Sequence, residues 1–434
     1  MKKLIYIAFI IPLLFSSCRK DPELVVNPGL TDAMARDSLY YLMRQWYYWY
    51  NQMPAVKKEN YADPYQLLEA MKYKTLDKWS FVADYDEFVA EMQGEFVGHG
   101  IRVGLDDSKK ARIAMIYSGS PLYKVNGVRR GWIVKSVNGF DIAKILSDHD
   151  ATAYNNAFGE SVAGVTNKFV FTKPDETDIE ISSTKTSFTI NSVLLYDTLH
   201  LSTGVTGHLV FESFISPSPS ELAVAFKFFE ENNIKDLILD LRYNSGGYLS
   251  VAQTLATEIG GKTLANSGST FGVLSYNDKN QDQNYTYKFD KSVQVNISLT
   301  RLIVISSRLT ASASEAVMNG LKPFMNVVSI GDTTSGKPVG MNGWEVGKKY
   351  FFWPITFKIV NKDNEGDYFN GIIPGKLVSD DITHDFNDRN ELCLKEAIKY
   401  IETGTFSAKG SESFYRHKQY SEKPQWRNQG LLIR

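Results

Sequence analysis

Ser312 and Lys337 are the two residues whose types and surroundings could perform covalent chemistry in this sequence. Ser312 opens the segment SASE, which follows the buried-strand pattern RLIVIS at 301–306. A serine at such a strand-to-helix turn would project its hydroxyl over the end of a sheet, where free N–H groups of the helix could stabilise an oxyanion. The same four residues also fit the S-x-x-E capping box, whose role is only to start a helix. The segment alone therefore leaves a nucleophile and a helix cap as alternatives.

A serine nucleophile needs a base, and Lys337 is the residue that the sequence offers. None of the six histidines occupies a setting that nominates it, and the chain has no G-x-S-x-G segment. Lys337 lies in the glycine-flanked turn GDTTSGKPVG (331–340), directly after the strand pattern NVVSIG (326–331). To act as a base the amine must be neutral, so burial must lower its pKa from about 10.4 toward about 7–8.

The same turn fits most of the phosphate-binding pattern G-x-x-x-x-G-K. Pro338 stands where that pattern requires a serine or threonine hydroxyl for magnesium, so the turn does not predict a nucleotide site. We expect no nucleotide, metal or other cofactor. The chain has 48 basic and 49 acidic residues, a balance that argues against nucleic-acid binding.

The segment DLRYNSGG (240–247) is a third candidate for the site, at the end of the strand pattern KDLILDL (235–241). Its two glycines would let the backbone approach a substrate closely and point N–H groups into a cleft. The sequence N-S-G-G is also an ordinary turn. The position favours function, because α/β sheets bind ligands at the carboxyl ends of their strands.

Three regions would position these residues. Strand and helix patterns alternate from 191 to 405, and the short apolar runs are typical of strands buried on both faces of an α/β sheet. Residues 31–89 are predicted to be helical and to pack on the next domain, with Asp63-Pro64 starting one helix. Short strands and turns fill 90–190. Helices of the α/β region are expected near 219–232, 249–259, 313–322 and 390–402.

The two ends of the chain carry different signals. Residues 1–17 have two lysines, a 12-residue apolar run and two serines before Cys18, as a secretory signal does. This resembles the lipobox of bacterial lipoproteins, although Phe15 replaces the usual leucine, and a plain secretory signal is the alternative. The lipobox implies that Cys18 carries the lipid and that 18–30 is a tether. Residues 406–434, with six basic and two acidic residues and hence a local charge of +4, are predicted to be a solvated or docked extension.

Taken together, the segments around Ser312, Lys337 and 240–247 resemble the C-terminal processing (tail-specific) serine protease family. The family's S-A-S-E turn and its D-L-R-x-N-x-G-G segment are both present, and Lys337 follows Ser312 by the family's 25 positions. The resemblance covers about 90–405. It implies that Ser312 is the nucleophile and Lys337 the base. It also implies an oxyanion hole built from N–H groups of Gly246 or Gly247 and Ala313.

The resemblance also implies a fold and a way of recruiting substrate. The fold would be a crotonase-like or Clp-protease-like α/β core with an inserted or preceding PDZ-like β domain and an N-terminal helical region. The segment FVGHGI (96–101) is similar to the PDZ loop that binds a peptide's C-terminal carboxylate. A generic β domain is the alternative for 90–190. The peptide-binding residues implied are Gly98, His99, Gly100 and Ile101.

Two positions depart from the family's pattern. Met341 occupies the place of a glutamine that orients the lysine in many members, and Pro323 the place of an aspartate found in some. Asn342 and Glu315 are the substitutes that we consider for orienting Lys337. The sequence thus predicts a lipid-anchored, periplasmic or cell-surface serine endopeptidase that acts on polypeptides recruited by their C-termini. A peptide-binding lipoprotein with weak catalysis is the main alternative, and a structural surface protein is a third.

Lipidation of Cys18 is directly testable, and it would leave Cys393 without a disulfide partner. We expect mass spectrometry of the mature protein to find acyl chains on Cys18 as its first residue. A Cys18→Ala variant serves as the control and should lose both the acyl mass and membrane association. A mature wild-type protein without acyl chains would contradict the anchor.

Overall fold

The computed structural model describes residues 29–293, 295–408, 414–416, 419–421 and 432–433. The predicted signal 1–17, Cys18 and nearly all of the tether lie outside these residues. None of the helices within the described ranges is both long and apolar enough to cross a membrane.

The N-terminal region is largely helical, with one short strand that the sequence did not predict, and one of its helices begins at the predicted cap. Thr31 accepts a hydrogen bond from the N–H of Met34, and Asp63 accepts one from Gln66 with Pro64 in the first turn, which confirms the predicted Asp63-Pro64 start. The elements here are α1 (Asp32–Trp46), α2 (Pro64–Met71), β1 (Phe81–Asp84) and α3 (Tyr85–Met92), with 3₁₀ turns at Tyr50–Gln52 and Lys58–Asn60.

The next part of the chain is built mainly from short antiparallel strands. Its elements are β2 (Glu95–Gly98), β3 (Ile101–Leu105), β4 (Ala111–Ile116), α4 (Pro121–Lys124), β5 (Ile133–Val137), β6 (Phe140–Asp141), α5 (Ile142–Asp148), α6 (Ala151–Phe158), β7 (Thr166–Thr172), β8 (Asp178–Thr184) and β9 (Thr186–Thr189). Strands β3, β4, β5, β7 and β8 are neighbours in that order in one sheet, and β2 pairs with β9. We refer to this part as the β-rich segment.

The remaining elements form the mixed α/β part that the sequence predicts, followed by two short strands, β22 and β23, in the C-terminal extension. They are β10 (Val193–Leu201), β11 (Gly204–Phe211), α7 (Ser218–Glu231), β12 (Asp236–Asp240), α8 (Leu249–Ser267), β13 (Thr270–Tyr276), a 3₁₀ turn (Gln281–Gln283), β14 (Tyr285–Lys288), β15 (Arg301–Ser306), α9 (Ala313–Leu321), β16 (Asn326–Gly331), β17 (Val339–Asn342), β18 (Trp344–Val346), β19 (Tyr350–Trp353), β20 (Ile355–Val360), β21 (Lys376–Leu377), α10 (Leu392–Thr403), β22 (Gln419–Ser421) and β23 (Leu432–Ile433). The four helices predicted for this part are confirmed, and α8 runs past its expected end across a break at Gly261.

A parallel sheet gathers the three candidate motifs. Strands β11, β12, β15, β16 and β21 are parallel neighbours in that order, and β10 is antiparallel at the edge next to β11. In register, Asp240 pairs with Ile305, and Ser306 pairs with Gly331. The loops that follow β12, β15 and β16 therefore leave the same edge of the sheet, and these loops carry 240–247, Ser312 and Lys337.

A second sheet lies between the N-terminal region and the parallel sheet. It has the strand order β14-β13-β20-β17-β23, and a small sheet of β1, β19 and β18 joins it to the N-terminal region. One apolar cluster combines Tyr47 and Trp79 of the N-terminal region with Met341 of β17 and Trp353 of β19. The predicted packing of the N-terminal region on the following domains is therefore confirmed.

A buried ion cluster connects the β-rich segment to the loop at 240–247. Arg242 of that loop pairs with Asp240, Asp380 and Glu391 at 2.7–2.8 Å. Arg130, from the β-rich segment, donates to the same Asp380 oxygen at 2.8 Å. Both guanidinium groups are almost inaccessible to solvent. Separating either pair would leave a charge buried without compensation, so the cluster keeps the β-rich segment attached to this loop.

The described parts of the C-terminal extension are docked. The Tyr415 N–H donates to Ser379 Oγ at 2.8 Å, and Arg416 forms an ion pair with Asp332. Strand β22 pairs antiparallel with β3, and β23 pairs parallel with β17. Of the two arrangements expected for this extension, the structure has the docked one.

Candidate active site

The backbone at Ser312 has an unusual conformation for a residue with a side chain. Its φ is +59° and its ψ is −105°, and it stands immediately before α9. A non-glycine residue in such a region costs on the order of 1–3 kcal/mol and persists only where its surroundings impose it. The side chain is 1% exposed, and Oγ has no hydrogen-bond partner of good geometry among the described residues. Ser312 thus presents an unused buried hydroxyl.

The Glu315 carboxylate imposes this conformation by joining two loops. One oxygen accepts hydrogen bonds from the backbone N–H groups of Ser312 at 2.7 Å and Lys337 at 2.9 Å. The other accepts from the Gly336 N–H at 2.7 Å and from the Thr334 hydroxyl. The contact of this carboxylate with the Ser312 N–H is the carboxylate half of the capping box expected from the sequence, but the carboxylate also binds the lysine loop. Burial raises the pKa of Glu315 against these four donors.

Lys337 is fully buried, and its amine has few polar neighbours. The hydrogen-bond acceptor found for Nζ within the described residues is Met341 Sδ, at 3.9 Å. The Trp79 ring centre lies 5.8 Å from Nζ. Burial lowers the pKa of Lys337 well below its ordinary value, the direction that a base requires, while the charges of Asp77 and Glu315 act the other way.

Neither residue considered as a lysine-orienting group contacts the amine in this conformation. The Asn342 side chain accepts from the Thr356 hydroxyl at 2.7 Å, and the Asn342 N–H donates to the same oxygen at 3.0 Å. Glu315 binds the backbone of Lys337 rather than Nζ. The Ser312 hydroxyl and the lysine amine do not form a hydrogen bond here, a contact that commonly tightens only when substrate binds.

The glycine loop at 246–247 lies directly against the start of α9. A Cβ built on Gly246 would lie 3.2 Å from both the Ala313 nitrogen and Ser312 Cβ. The Gly246 N–H donates to the Asn244 side chain at 2.9 Å, so in this conformation it is not available to an oxyanion. In the described part of the chain, no acceptor is recorded for the N–H groups of Gly247 and Ala313. Of the three predicted oxyanion donors, these two are therefore open.

The predicted peptide-binding residues run from the last residue of β2 to the first residue of β3. Gly98, His99, Gly100 and Ile101 are all buried. The His99 imidazole is hydrogen-bonded to Asn167 at 2.7 Å and to Ser183 at 3.1 Å, and burial lowers its pKa to about 4. The His99 side chain thus faces the interior of the β-rich segment. If this loop binds a peptide, its backbone groups, and not the His99 side chain, would make the contact.

Two residues near the lysine were not among those predicted from the sequence. Asp77 and Trp79 belong to the turn before β1, and the sequence analysis assigned this region only a packing role. No local signal connects them to Lys337, which lies more than 250 positions further along the chain. The structure brings them to the lysine by docking the N-terminal region on β20 and β17. Among the described residues, no three His, Cys, Asp or Glu side chains form a group suited to a metal ion.

Two family models match parts of this chain. The model of peptidase family S41 matches residues 205–375, and that of the peptidase S41 N-terminal domain matches residues 35–81. Together these matches span half of the chain. The chain belongs to peptidase family S41. The predicted resemblance to C-terminal processing proteases is thereby confirmed at the level of the family.

Individual S41 relatives are distant. The carboxy-terminal processing protease CtpB of Bacillus subtilis is 22% identical over 314 residues, which are 72% of this chain and 61% of that protein. A carboxy-terminal-processing protease of Bartonella bacilliformis is 24% identical over 262 residues, 58% of this chain and 56% of that protein. This chain therefore spans about three fifths of the length of these relatives. A solved structure from Bacteroides fragilis, assigned as an S41 protease, is 22% identical with a TM-score of 0.68 and covers 85% of this chain and 97% of its own, which shows a shared fold.

Gly247 provides a test of the glycine loop in this S41 chain. Its φ is +139°, and a Cβ there would lie 2.2 Å from the Phe214 carbonyl oxygen. Gly247→Ala is expected to displace the loop and its N–H from Ser312 and to lower kcat for peptide hydrolysis by about 10²–10³-fold, as loss of one oxyanion donor does.

The matched control is Gly127→Ala. Gly127 also has a positive φ, +72°, but a Cβ there meets nothing within 4 Å. It should carry the backbone strain without the loss of activity. Steady-state kinetics and urea unfolding of both variants are compared, and equal kcat values in the two would contradict a role for the 247 amide.

Proposed function

We propose that this S41 chain is a serine endopeptidase in which Ser312 is the nucleophile and Lys337 the general base. The observation that carries the proposal is the Glu315 carboxylate, which bonds the backbone N–H groups of both residues with one oxygen and so fastens their loops together. Burial of the lysine supports the same chemistry, because a lowered pKa supplies the neutral amine.

The reaction follows from these groups. Ser312 Oγ attacks the peptide carbonyl carbon while Lys337 Nζ takes the hydroxyl proton, and the carbonyl oxygen becomes an oxyanion facing the N–H groups of Gly247 and Ala313. The C–N bond then breaks, and the lysine ammonium returns the proton to the leaving amine. Water, deprotonated by the neutral lysine, attacks the carbonyl carbon of the acyl-serine ester. The bond between this carbon and Ser312 Oγ breaks, the new C-terminal carboxyl group leaves, and the lysine ammonium returns its proton to Ser312 Oγ. The amine must first swing from Met341 Sδ to Ser312 Oγ.

Recruitment of the substrate is assigned to the β-rich segment, which we propose to act as a PDZ-like domain. A polypeptide C-terminus would pair with β3 and place its carboxylate at the backbone of 98–101. The antiparallel pairing of β22 with this same edge supports the idea, since it demonstrates that the edge accepts an extended strand in that direction. A lipid on Cys18 would hold the enzyme at the outer side of a bacterial membrane, where it meets exported polypeptides.

A peptide-binding protein with weak catalysis is the second candidate, and one contact favours it. The lysine amine rests against a methionine sulfur, a weak acceptor that orients it poorly. This candidate shares the fold and the strand-accepting edge, and it differs only in turnover.

Ser312→Ala separates the two candidates. The variant is expected to lose peptide hydrolysis by at least about 10³-fold while keeping its affinity for C-terminal peptides, because only the attacking oxygen is removed. The control is Ser220→Ala, at an exposed serine of α7, which should match the wild type in both assays. A wild type without turnover, or a Ser312→Ala variant with unchanged turnover, would rule out the endopeptidase.

Removing the C-terminal extension tests the proposed peptide edge. A chain ending at Ala408, made with Ser312→Ala so that bound peptide stays intact, should bind a peptide with a free C-terminus more tightly. The gain is about tenfold if β22 occupies the edge nine-tenths of the time. The same peptide with an amidated C-terminus is the control and should bind weakly to both chains. Unchanged or weaker binding after truncation would contradict recruitment at β3.

A further inference from the structure

We infer that Asp77 of the N-terminal region is a positioning residue for Lys337, and that its carboxylate supplies the negative charge that the lysine amine faces when it accepts the serine proton. This inference rests on the proposed function, since it names a further residue of the same site. Asp77 touches neither substrate nor the reacting atoms, and it acts through the lysine.

The Asp77 carboxylate is held rigidly. One oxygen accepts hydrogen bonds from the backbone N–H groups of Trp79 and Ser80, both at 2.9 Å. The other accepts from the Tyr47 hydroxyl at 2.7 Å. Asp77 is 3% exposed, and Tyr47 is fully buried. All three partners are donors, so both carboxylate oxygens are used as hydrogen-bond acceptors.

The same turn is attached to the strands beside the lysine. Ser80 Oγ accepts a hydrogen bond from the Ile355 N–H at 2.9 Å, and Ile355 pairs in register with Met341. Lys337 Nζ contacts Met341 Sδ, and the centre of the Trp79 ring lies 5.8 Å from the same nitrogen. The turn from Asp77 to Ser80 therefore forms one wall of the lysine pocket.

Two carboxylates from different elements act on the charge of the amine: Asp77, in the turn that walls the lysine pocket, and Glu315 from α9. Both Glu315 oxygens are already engaged by the loops of Ser312 and Lys337. The remaining neighbours, Trp79 and Met341, carry no charge, and Tyr47 bonds Asp77. Burial lowers the pKa of Lys337, and the two carboxylates oppose this effect. The charge of Asp77 raises the pKa more than that of Glu315 does.

A counter-charge is required by the proton transfer itself. When Lys337 takes the serine proton it becomes an ammonium ion in a site without solvent, and an unpaired buried ion of this kind is strongly destabilised. Burial alone would therefore make the lysine too weak a base, because its pKa would fall too far. Asp77 supplies the compensating charge, in a chain whose residue at 341 cannot.

The test compares Asp77→Asn with the wild type in the full chain. The asparagine keeps the shape and removes the charge, so the lysine should lose its proton more easily and serve as a weaker base. We expect the acid limb of the kcat/KM profile, along which activity rises with pH as Lys337 becomes neutral, to move down by about one pH unit. We also expect kcat to fall by up to about tenfold with little change in KM, because one pKa unit of base strength corresponds to at most that factor in rate. Asp84→Asn, at the exposed cap of α3 in the same region, is the control and should leave both unchanged.

Direct titration of Lys337 keeps the inference separate from catalysis. The experiment uses Ser312→Ala protein labelled with ¹⁵N-lysine, so that no turnover occurs. The Nζ resonance of Lys337 is identified as the one that disappears in a Lys337→Met variant. Its chemical shift, followed against pH, reports the pKa of Lys337. Asp77→Asn should lower that pKa. Tyr47→Phe should raise it, because the carboxylate keeps its charge and loses a donor. Tyr47→Phe also serves if Asp77→Asn does not fold.

Each outcome decides the matter. A lowered titration in Asp77→Asn, or a raised one in Tyr47→Phe, supports Asp77 even in a protein without peptidase activity, where only the proposed function would fail. An unchanged lysine titration in the folded variants would overturn the inference, even if the wild type is an active peptidase. So would a loss of activity in Asp77→Asn that Asp84→Asn reproduces.

Discussion

The buried carboxylate of Glu315 is the contact on which the geometry of the site depends. It satisfies three backbone N–H groups and one hydroxyl from two loops that leave neighbouring parallel strands. Without it, these donors would be left unpaired in the interior, at a cost of about 1–3 kcal/mol each. The strained backbone of Ser312 is stable only in this setting. The capping box that the sequence suggested as an alternative to catalysis is thus the device that positions the nucleophile.

How far the sequence predicted this structure depended on how local each signal was. The α/β alternation, the helix bounds and the Asp63-Pro64 start follow from apolar spacing and capping chemistry within a few residues, and the structure confirms them. The partners of Lys337 follow from docking. Met341 and Asn342 are successive residues of β17 and so point to opposite faces. The amine contacts Met341, and the Asn342 side chain, on the other face, accepts a hydrogen bond from the Thr356 hydroxyl. Sequence spacing could not select the face.

The same reasoning applies to the charges around the lysine. A lysine base needs burial to become neutral, but a fully buried amine with no counter-charge resists the proton that it must accept. The balance is set by residues from three parts of the chain: the N-terminal region gives Asp77, α9 gives Glu315, and β17 gives an uncharged neighbour.

Substrate access is governed by the two places where the C-terminal extension adds a strand. Strand β22 covers the free edge of β3, and β23 lies beside Met341 and Asn342 on β17. These are also the edges nearest to the predicted carboxylate loop and to Lys337, so an incoming polypeptide competes with the chain's own extension for both. Main-chain hydrogen bonds are alike for any extended strand, and affinity then depends on the terminal carboxylate and on side-chain fit. Under the proposed function, a polypeptide that reaches the buried Ser312 and Lys337 must first displace the C-terminal extension from these edges.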